Sequence, residues 1–478
     1  MDSLDQILAR LDAVDAIAAM LFASQAGYAM SDAEPRPRFA DAFACEFVAL
    51  RLLERGTIAA PDPGTEVAVE DLVLSAETAA SQEAFAAIMD PNDPLGIETD
   101  VRRRFALLQL ANYDPAIPGL EIRRWPLLFA PVEAELEAVT GLSINVIERL
   151  VESLMTRSIA WCLHHAEAGR PPGSARPDDM RQLFDEAAAR LGATVEPGSG
   201  VLLAGTREEL ARDAEVSVTE DEAFLGLFAT SPPIDVSRIT TAVWDFRRRP
   251  VILWDDGIIL PVAFDLVMAI RPTLEAALRA GHAKAGNRYN VAKSKWVEDE
   301  AQTLLGRLLE PDQAFRALEV PAPEAGKSDP ERDGLLRIDM VAIAVEAKSG
   351  GISLSAHRGH ATSQDQAMER LVHEGVAQAD SLIAALQAAE DVTGVDLADQ
   401  QRVVVDIGRI LRWIPLVVTL DDMSSVVAGS RVLFENRDPA RPHPIVLTLD
   451  DLAWFSDELP LPAQVIHYLV VRERIARA

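Results

Sequence analysis

The chain has 478 residues, 49% of them hydrophobic and 25% charged, with a formal net charge of −30. That length points to two or three domains of ordinary globular composition. The negative charge excludes a protein that coats nucleic acid non-specifically, because phosphate binding needs a positive field.

Two cysteines, Cys45 and Cys162, are too few for a disulfide framework and fit a reducing, cytoplasmic compartment. The opening MDSLDQILARL is acidic where a secretory signal is basic. The most apolar early stretch, residues 16–23, falls short of the ~20 residues that a membrane span needs, so no membrane partner is expected.

Residues 1–240 read as one acidic, mainly helical domain, with 40 acids against 19 arginines, a net −21. LDQILARLDAVDAIAAMLF and NVIERLVESLMTRSIAWCLHHA carry apolar residues at three- and four-residue spacing, and AEPRPR, PDPG, DPNDP and RPPGSARPDD mark loops. Cys162, His164 and His165 are potential ligands by type. Adjacent histidines point to different helix faces, however, so this stretch reads as a structural helix. PGSGVLLAG lacks the preceding strand that a dinucleotide loop requires. No chemistry shows in this half; in an alternative, non-catalytic reading of the chain it binds a protein partner.

From 241 the texture changes. VILW-DDG-IILPV predicts a hairpin around Asp256-Gly257, followed by a helix from about Asp265 to Ala280. A second helix is expected over Val291–Leu309, burying Val297, Ala301, Leu304, Leu305 and Leu308. Then come a strand at Ala314–Val320, a Pro- and Gly-rich loop over Pro321–Asp333, two short strands, and a long helix over Ser363–Ala389. Strands at Gln401–Ile407 and Ile414–Leu420 complete an α-β-β-β-α-β order, with room for one extra strand. The expected fold is thus multidomain: a mostly α-helical N-terminal half, an α/β core within a 241–420 domain, and a small α+β C-terminal piece over 421–478. That last piece has one strand and two helices, from PIVLTLDDLAWFSDEL and PLPAQVIHYLVVRERI.

The informative segment is ERDGLLRIDMVAIAVEAK, residues 331–348. A two-residue turn at Asp339-Met340 makes paired residue numbers sum to 679, so Ile338 pairs with Val341 and Asp333 falls opposite Glu346. Strand alternation places Ala342, Ala344, Glu346 and Lys348 on one face, which Asp333 joins. Two carboxylates directly opposite repel, and a bound hard cation, Mg²⁺ or Mn²⁺, removes the repulsion. Asp339 also precedes the Glu-Ala-Lys triplet. It lies in the turn, seven residues and roughly 23 Å along the strand from Glu346, too far to share an ion with it.

This Asp-x₁₂-Glu-x-Lys arrangement across a hairpin, with its flanking elements, resembles the PD-(D/E)XK nuclease superfamily over about residues 291–420. The resemblance implies a restriction-endonuclease-like core. It also implies a Mg²⁺ (or Mn²⁺) site at Asp333 and Glu346 with the Ala347 carbonyl, and a Lys348 that orients or helps deprotonate the attacking water. A further glutamate from the preceding helix is implied at Glu298, preferred to Glu300 because it lies three and seven residues from Ala301 and Leu305. Gln378 in HEGVAQAD matches a glutamine that some members use. Arg332 stands where the motif has proline. The implied activity is hydrolysis of nucleic acid, DNA before RNA, and by analogy a role in defence or repair.

All five lysines, Lys284, Lys293, Lys295, Lys327 and Lys348, fall within residues 284–348, in a chain with 40 arginines. No acid occurs between Ala276 and Val297, where Lys284, Arg288, Lys293 and Lys295 alternate with Tyr289 and Trp296. Such a stretch suits phosphates and stacked bases. A solvated helix face with Trp296 packed inward accounts for it equally well. PAPEAGKS ends like a phosphate loop but lacks its first glycine and its following helix, so ATP is not expected. His357 and His360 read as polar loop residues.

Overall fold

The computed structural model describes residues 42–55, 69–89, 118–168, 205–236, 239–254, 257–320, 331–358, 360–388, 391–421, 434, 437–438, 440–459 and 461–477. The helix expected in residues 4–22, most of the N-terminal loops and the GKS stretch lie outside them. No helix among the described residues is long and apolar enough to cross a membrane.

The chain divides into two compact units, with the boundary at Asn287/Arg288 rather than at 240. The first holds helices α1 (Ala42–Arg55), α2 (Val69–Met89), α3 (Pro118–Phe129), α4 (Glu133–Thr140), α5 (Ile144–Ala168), α6 (Arg207–Asp213) and α7 (Val218–Phe228). The side chains of Cys162, His164 and His165, in α5, lie outside the description. There follow β1 (Ala229–Thr230), α8 (Ile239–Arg248), β2 (Val251–Trp254), β3 (Gly257–Ile259) and α9 (Ala263–Gly281).

The expected hairpin is present as β2 and β3, paired Ile252↔Ile259 and Leu253↔Ile258, with β1 added in parallel. Helix α9 buries Leu266, Ile270, Leu274 and Leu278 at four-residue spacing and packs on α8, α4 and α3. These contacts are why hairpin and helix belong with the N-terminal unit and not, as expected, with the segment that follows.

The boundary falls inside α10 (Ala283–Leu309), which begins eight residues earlier than the apolar pattern suggested. The predicted face holds, since Val297, Ala301, Leu304, Leu305 and Leu308 are all buried. After α10 come β4 (Gln313–Glu319), β5 (Arg332–Ile338), β6 (Val341–Lys348), α11 (Leu354–His357), α12 (Ala361–Met368), α13 (Glu374–Gln387), β7 (Thr393–Asp396), β8 (Arg402–Val404) and β9 (Arg412–Thr419). The chain closes with β10 (Ile445–Thr448), α14 (Leu449–Glu458) and α15 (Pro462–Arg477).

One seven-stranded mixed sheet organises this unit, in the order β10-β9-β6-β5-β4-β7-β8. Strands β6, β9 and β10 run parallel, and the remaining neighbours are antiparallel. The residues after 421 are therefore not a separate piece, because β10 extends the same sheet through its ladder with β9. The small Ala342 and Ala344 of β6, with Leu335 of β5, pack against Ala379, Leu382 and Ile383 of α13. The long helix expected over 363–389 is interrupted by a π turn at Glu369–His373, which separates α12 from α13.

Candidate functional site

The β5–β6 hairpin sets the geometry. Its pairs, from Ile338↔Val341 to Gly334↔Val345, keep the register in which residue numbers sum to 679, placing Asp333 and Glu346 at the next step. The turn is closed by Asp339, whose φ of 56° lies in the left-handed region that Asp tolerates. Asp339 is exposed, and its N–H donates to Asp312 Oδ2 at 2.6 Å, so it takes no part at Glu346.

Asp333 Oδ2 accepts a 2.6 Å hydrogen bond from the backbone N–H of Ala347. Gln302 of α10 donates to the Asp333 carbonyl, pinning the backbone beside the acid. Glu346 is 1% exposed, and its Oε1 has no hydrogen-bond partner. Burial, with the neighbouring Asp333 charge second, pushes the Glu346 carboxyl up to about 8, against the opposing pull of Lys348 and Arg332. Asp333 is also raised by burial, although the Ala347 N–H and Lys348 act in the other direction.

Lys348 Nζ lies 3.6 Å from Glu346 Oε2 and donates to Gln378 Oε1 of α13. Gly375 makes room for this lysine: a Cβ there would lie 3.1 Å from Lys348 Cε and from both methyls of Val417. Glu298 of α10 is half-buried and accepts from Ser294 Oγ at 3.3 Å. Burial and then the Asp333 charge raise it to about 7, so it senses the site. Among the described residues no three His, Cys, Asp or Glu side chains are grouped to hold a metal ion. The structure thus brings Asp333, Glu346, Lys348 and Gln378 together, while Glu298 stands beside Asp333 without completing a three-carboxylate cluster.

The chemistry of the donor set fits a hard divalent cation. A buried carboxyl group, Glu346, faces a half-buried one, Asp333, and Glu346 Oε1 lacks any partner, which a buried acceptor does not normally tolerate. Ala347, whose carbonyl the resemblance includes in the site, is buried in the parallel ladder opposite Val418.

Comparison of this chain with family models, with curated proteins and with solved structures finds no match.

The basic stretch is only partly a surface. Lys284, Arg288 and Lys295 are exposed. Lys293 is 4% exposed, with Nζ 5.2 Å from the centroid of the Tyr289 ring, and Tyr289 itself is 1% exposed. Lys293 is therefore not placed to meet a phosphate, nor Tyr289 to stack on a base. The helix buries one side of the run, and the four-residue spacing of Ala285, Tyr289, Lys293 and Val297 carries the cation inward with the ring.

Sequence reasoning missed Arg332 and Ser381. Arg332 is buried and donates through Nε to the Gln378 carbonyl at 3.1 Å and through Nη2 to Ser381 Oγ at 2.8 Å. The signal was available, since Ser381 is three residues from Gln378 and shares its helix face.

Proposed function

We propose that this chain is a divalent-metal-dependent nuclease of the PD-(D/E)XK type that hydrolyses phosphodiester bonds of nucleic acid, DNA before RNA. The observation that carries the reading is the opposition of Asp333 and Glu346 across a hairpin, with Lys348 two residues beyond Glu346 and ion-paired to it. The run of α10, antiparallel β4, β5 and β6, α13 and then β9 parallel to β6 supports it, because it follows the α-β-β-β-α-β order of the superfamily core once β7 and β8, added at the β4 edge between α13 and β9, are set aside.

Asp333 and Glu346 would hold Mg²⁺ or Mn²⁺, which supplies charge stabilisation at the phosphate and a more acidic bound water. The Ala347 N–H orients Asp333 so that its second oxygen remains for ligation. The Lys348 ammonium, held by Gln378, offers a positive charge and a proton donor where negative charge develops on the scissile group. Glu298, at about 7, is suited to take up a proton near neutral pH. Exposed Lys284, Arg288 and Lys295 supply a local positive field in a chain that is otherwise strongly acidic. A reducing cytoplasmic setting, with a role in defence or repair by analogy, belongs to the same reading, since two cysteines are too few for a disulfide framework.

A second reading has one observation in its favour: among the described residues, no third carboxylate is grouped with Asp333 and Glu346. In it the chain is a non-catalytic interaction protein that keeps a degenerate nuclease core as scaffold, while the acidic half binds a partner protein. Calorimetric titration of the full chain with Mn²⁺ separates the two. The nuclease reading expects saturable binding that Asp333→Ala and Glu346→Ala remove, whereas binding unaffected by both variants favours the scaffold.

A further inference from the structure

Arg332 immediately precedes Asp333 on β5, yet its guanidinium reaches α13. It is 3% exposed, and burying so polar a group is costly unless its hydrogen bonds are satisfied. Two of them go to one helix turn: Nε to the backbone carbonyl of Gln378 and Nη2 to the hydroxyl of Ser381. The side chain of the same Gln378 accepts from Lys348 Nζ. One helical residue is thus held at its backbone from β5 and bonded through its side chain to the lysine of β6.

The helix needs such a tie here. A π turn ends at His373 and Gly375 follows, so the rotation of α13 at Gln378 is not dictated by an unbroken α ladder upstream. Without Gln378 in place, Lys348 keeps its ion pair with Glu346, 3.6 Å away. We propose that Arg332 is a positioning residue that sets the location of the Lys348 ammonium through Gln378. A planar guanidinium spans both acceptors at once, whereas a lysine at 332 satisfies one.

The placement of Lys348 stands on geometry alone; its consequence for cleavage rests on the nuclease reading. The test therefore has two readouts on the full chain. The five lysines allow ¹³Cε-lysine labelling to give few signals, with Lys348 assigned by its loss in Lys348→Arg. Arg332→Met should move the Lys348 signal in the same direction as Gln378→Ala, and should move it no further in the Gln378→Ala background. Ser381→Ala, the milder variant that keeps the guanidinium, should produce a smaller shift the same way. Arg332→Lys should restore the signal only in part.

In magnesium, Arg332→Met should lower kcat about 10- to 100-fold, the scale of a misplaced reacting group, while KM changes little. A Lys348 signal unmoved by Arg332→Met and Ser381→Ala overturns the proposal. So does an equal shift with Gln378 already removed, which would mean that Arg332 acts by another route. Absence of cleavage by the wild type counts against the nuclease reading and leaves the spectroscopic result to decide the positioning.

Discussion

The backbone N–H of Ala347 donates to Asp333 Oδ2 at 2.6 Å, so the strand that carries Glu346 also orients the acid facing it. Glu346 is buried and Asp333 half-buried, and both are harder to ionise than in water. Ligation of a cation requires them ionised, so metal binding must release protons. With Glu346 at about 8, Mn²⁺ affinity should climb steeply as pH rises towards that value and level off above it. Each proton displaced contributes about tenfold per pH unit. Calorimetry at several pH values, in buffers of different ionisation enthalpy, counts those protons; a flat affinity contradicts the geometry.

The same shifts fix the sign of a stability effect. Glu346 binds its proton more tightly when folded, at about 8 against an ordinary 4.5, so the native state holds the extra proton across that window. Metal-free stability should then fall as pH rises from about 4.5 towards 8 and level off above it. Glu346→Gln, which resembles the protonated acid, should flatten this contribution in urea denaturation at pH 5, 7 and 8.5. An unchanged slope would show that other groups carry it.

Lys348→Ala removes a charge beside the carboxylates but leaves both of them. Substrate binding in Ca²⁺ should persist, while hydrolysis in Mg²⁺ should drop about 10²-fold or more. Lys348→Arg should rescue poorly, because guanidinium neither deprotonates nor fits the space that Gly375 leaves. Asp333→Ala should instead weaken Mn²⁺ binding itself. Equal loss of metal binding in both variants would contradict this division of roles.

Gly375 offers a separate probe of that space. Gly375→Ala improves helix propensity by about 1 kcal/mol, yet its Cβ meets Lys348 Cε at 3.1 Å. Stability should change little while magnesium-dependent turnover declines. Gly375→Val should cost about 1–3 kcal/mol through overpacking as well. Full activity in both would mean that the lysine stem can move without consequence.

How far the sequence reached depends on the kind of order involved. The hairpin register was legible because period-2 alternation and a two-residue turn allow a single pairing, and Asp333 and Glu346 follow from it. The apolar face of α10 was legible from four-residue spacing, but its first turns were not. The segment AKAGNRYN has no apolar stripe and is helical by continuity with the rest. The interruption at Glu369–His373 was invisible because a π turn changes the hydrogen-bond partner and not the residue types. Burial of Lys293 was likewise unreadable, since a cation seated over a tyrosine ring has the same composition as one in solvent. The third strand that the β2–β3 hairpin finds in Ala229–Thr230 was equally unreadable, a two-residue pairing with no sequence signature.

In the first unit, Arg247 of α8 donates to both carboxylate oxygens of Glu46 on α1, at 2.6 and 2.9 Å, with all of these groups buried. Asp265, at the start of α9, is 0% exposed and lies within hydrogen-bonding reach of Glu46. Burial first, then the Glu46 charge, holds Asp265 well above the usual carboxylate range. Arg247→Met should therefore destabilise the unit by about 3–5 kcal/mol, because it leaves two acids buried without their cation. Asp265→Asn should cost little near neutral pH and should remove a loss of stability as pH rises. Urea denaturation followed by tryptophan fluorescence checks both; a severe cost for Asp265→Asn would contradict a protonated Asp265.

Cleavage of labelled single- and double-stranded DNA by the full chain in Mg²⁺, with and without chelator and beside Glu346→Gln, tests the central claim most directly. The account predicts wild-type cleavage that the chelator abolishes and that Glu346→Gln, which keeps the shape and removes the charge, reduces about 10²-fold or more. Wild type inert with both Mg²⁺ and Mn²⁺, or Glu346→Gln as active as wild type, would contradict it.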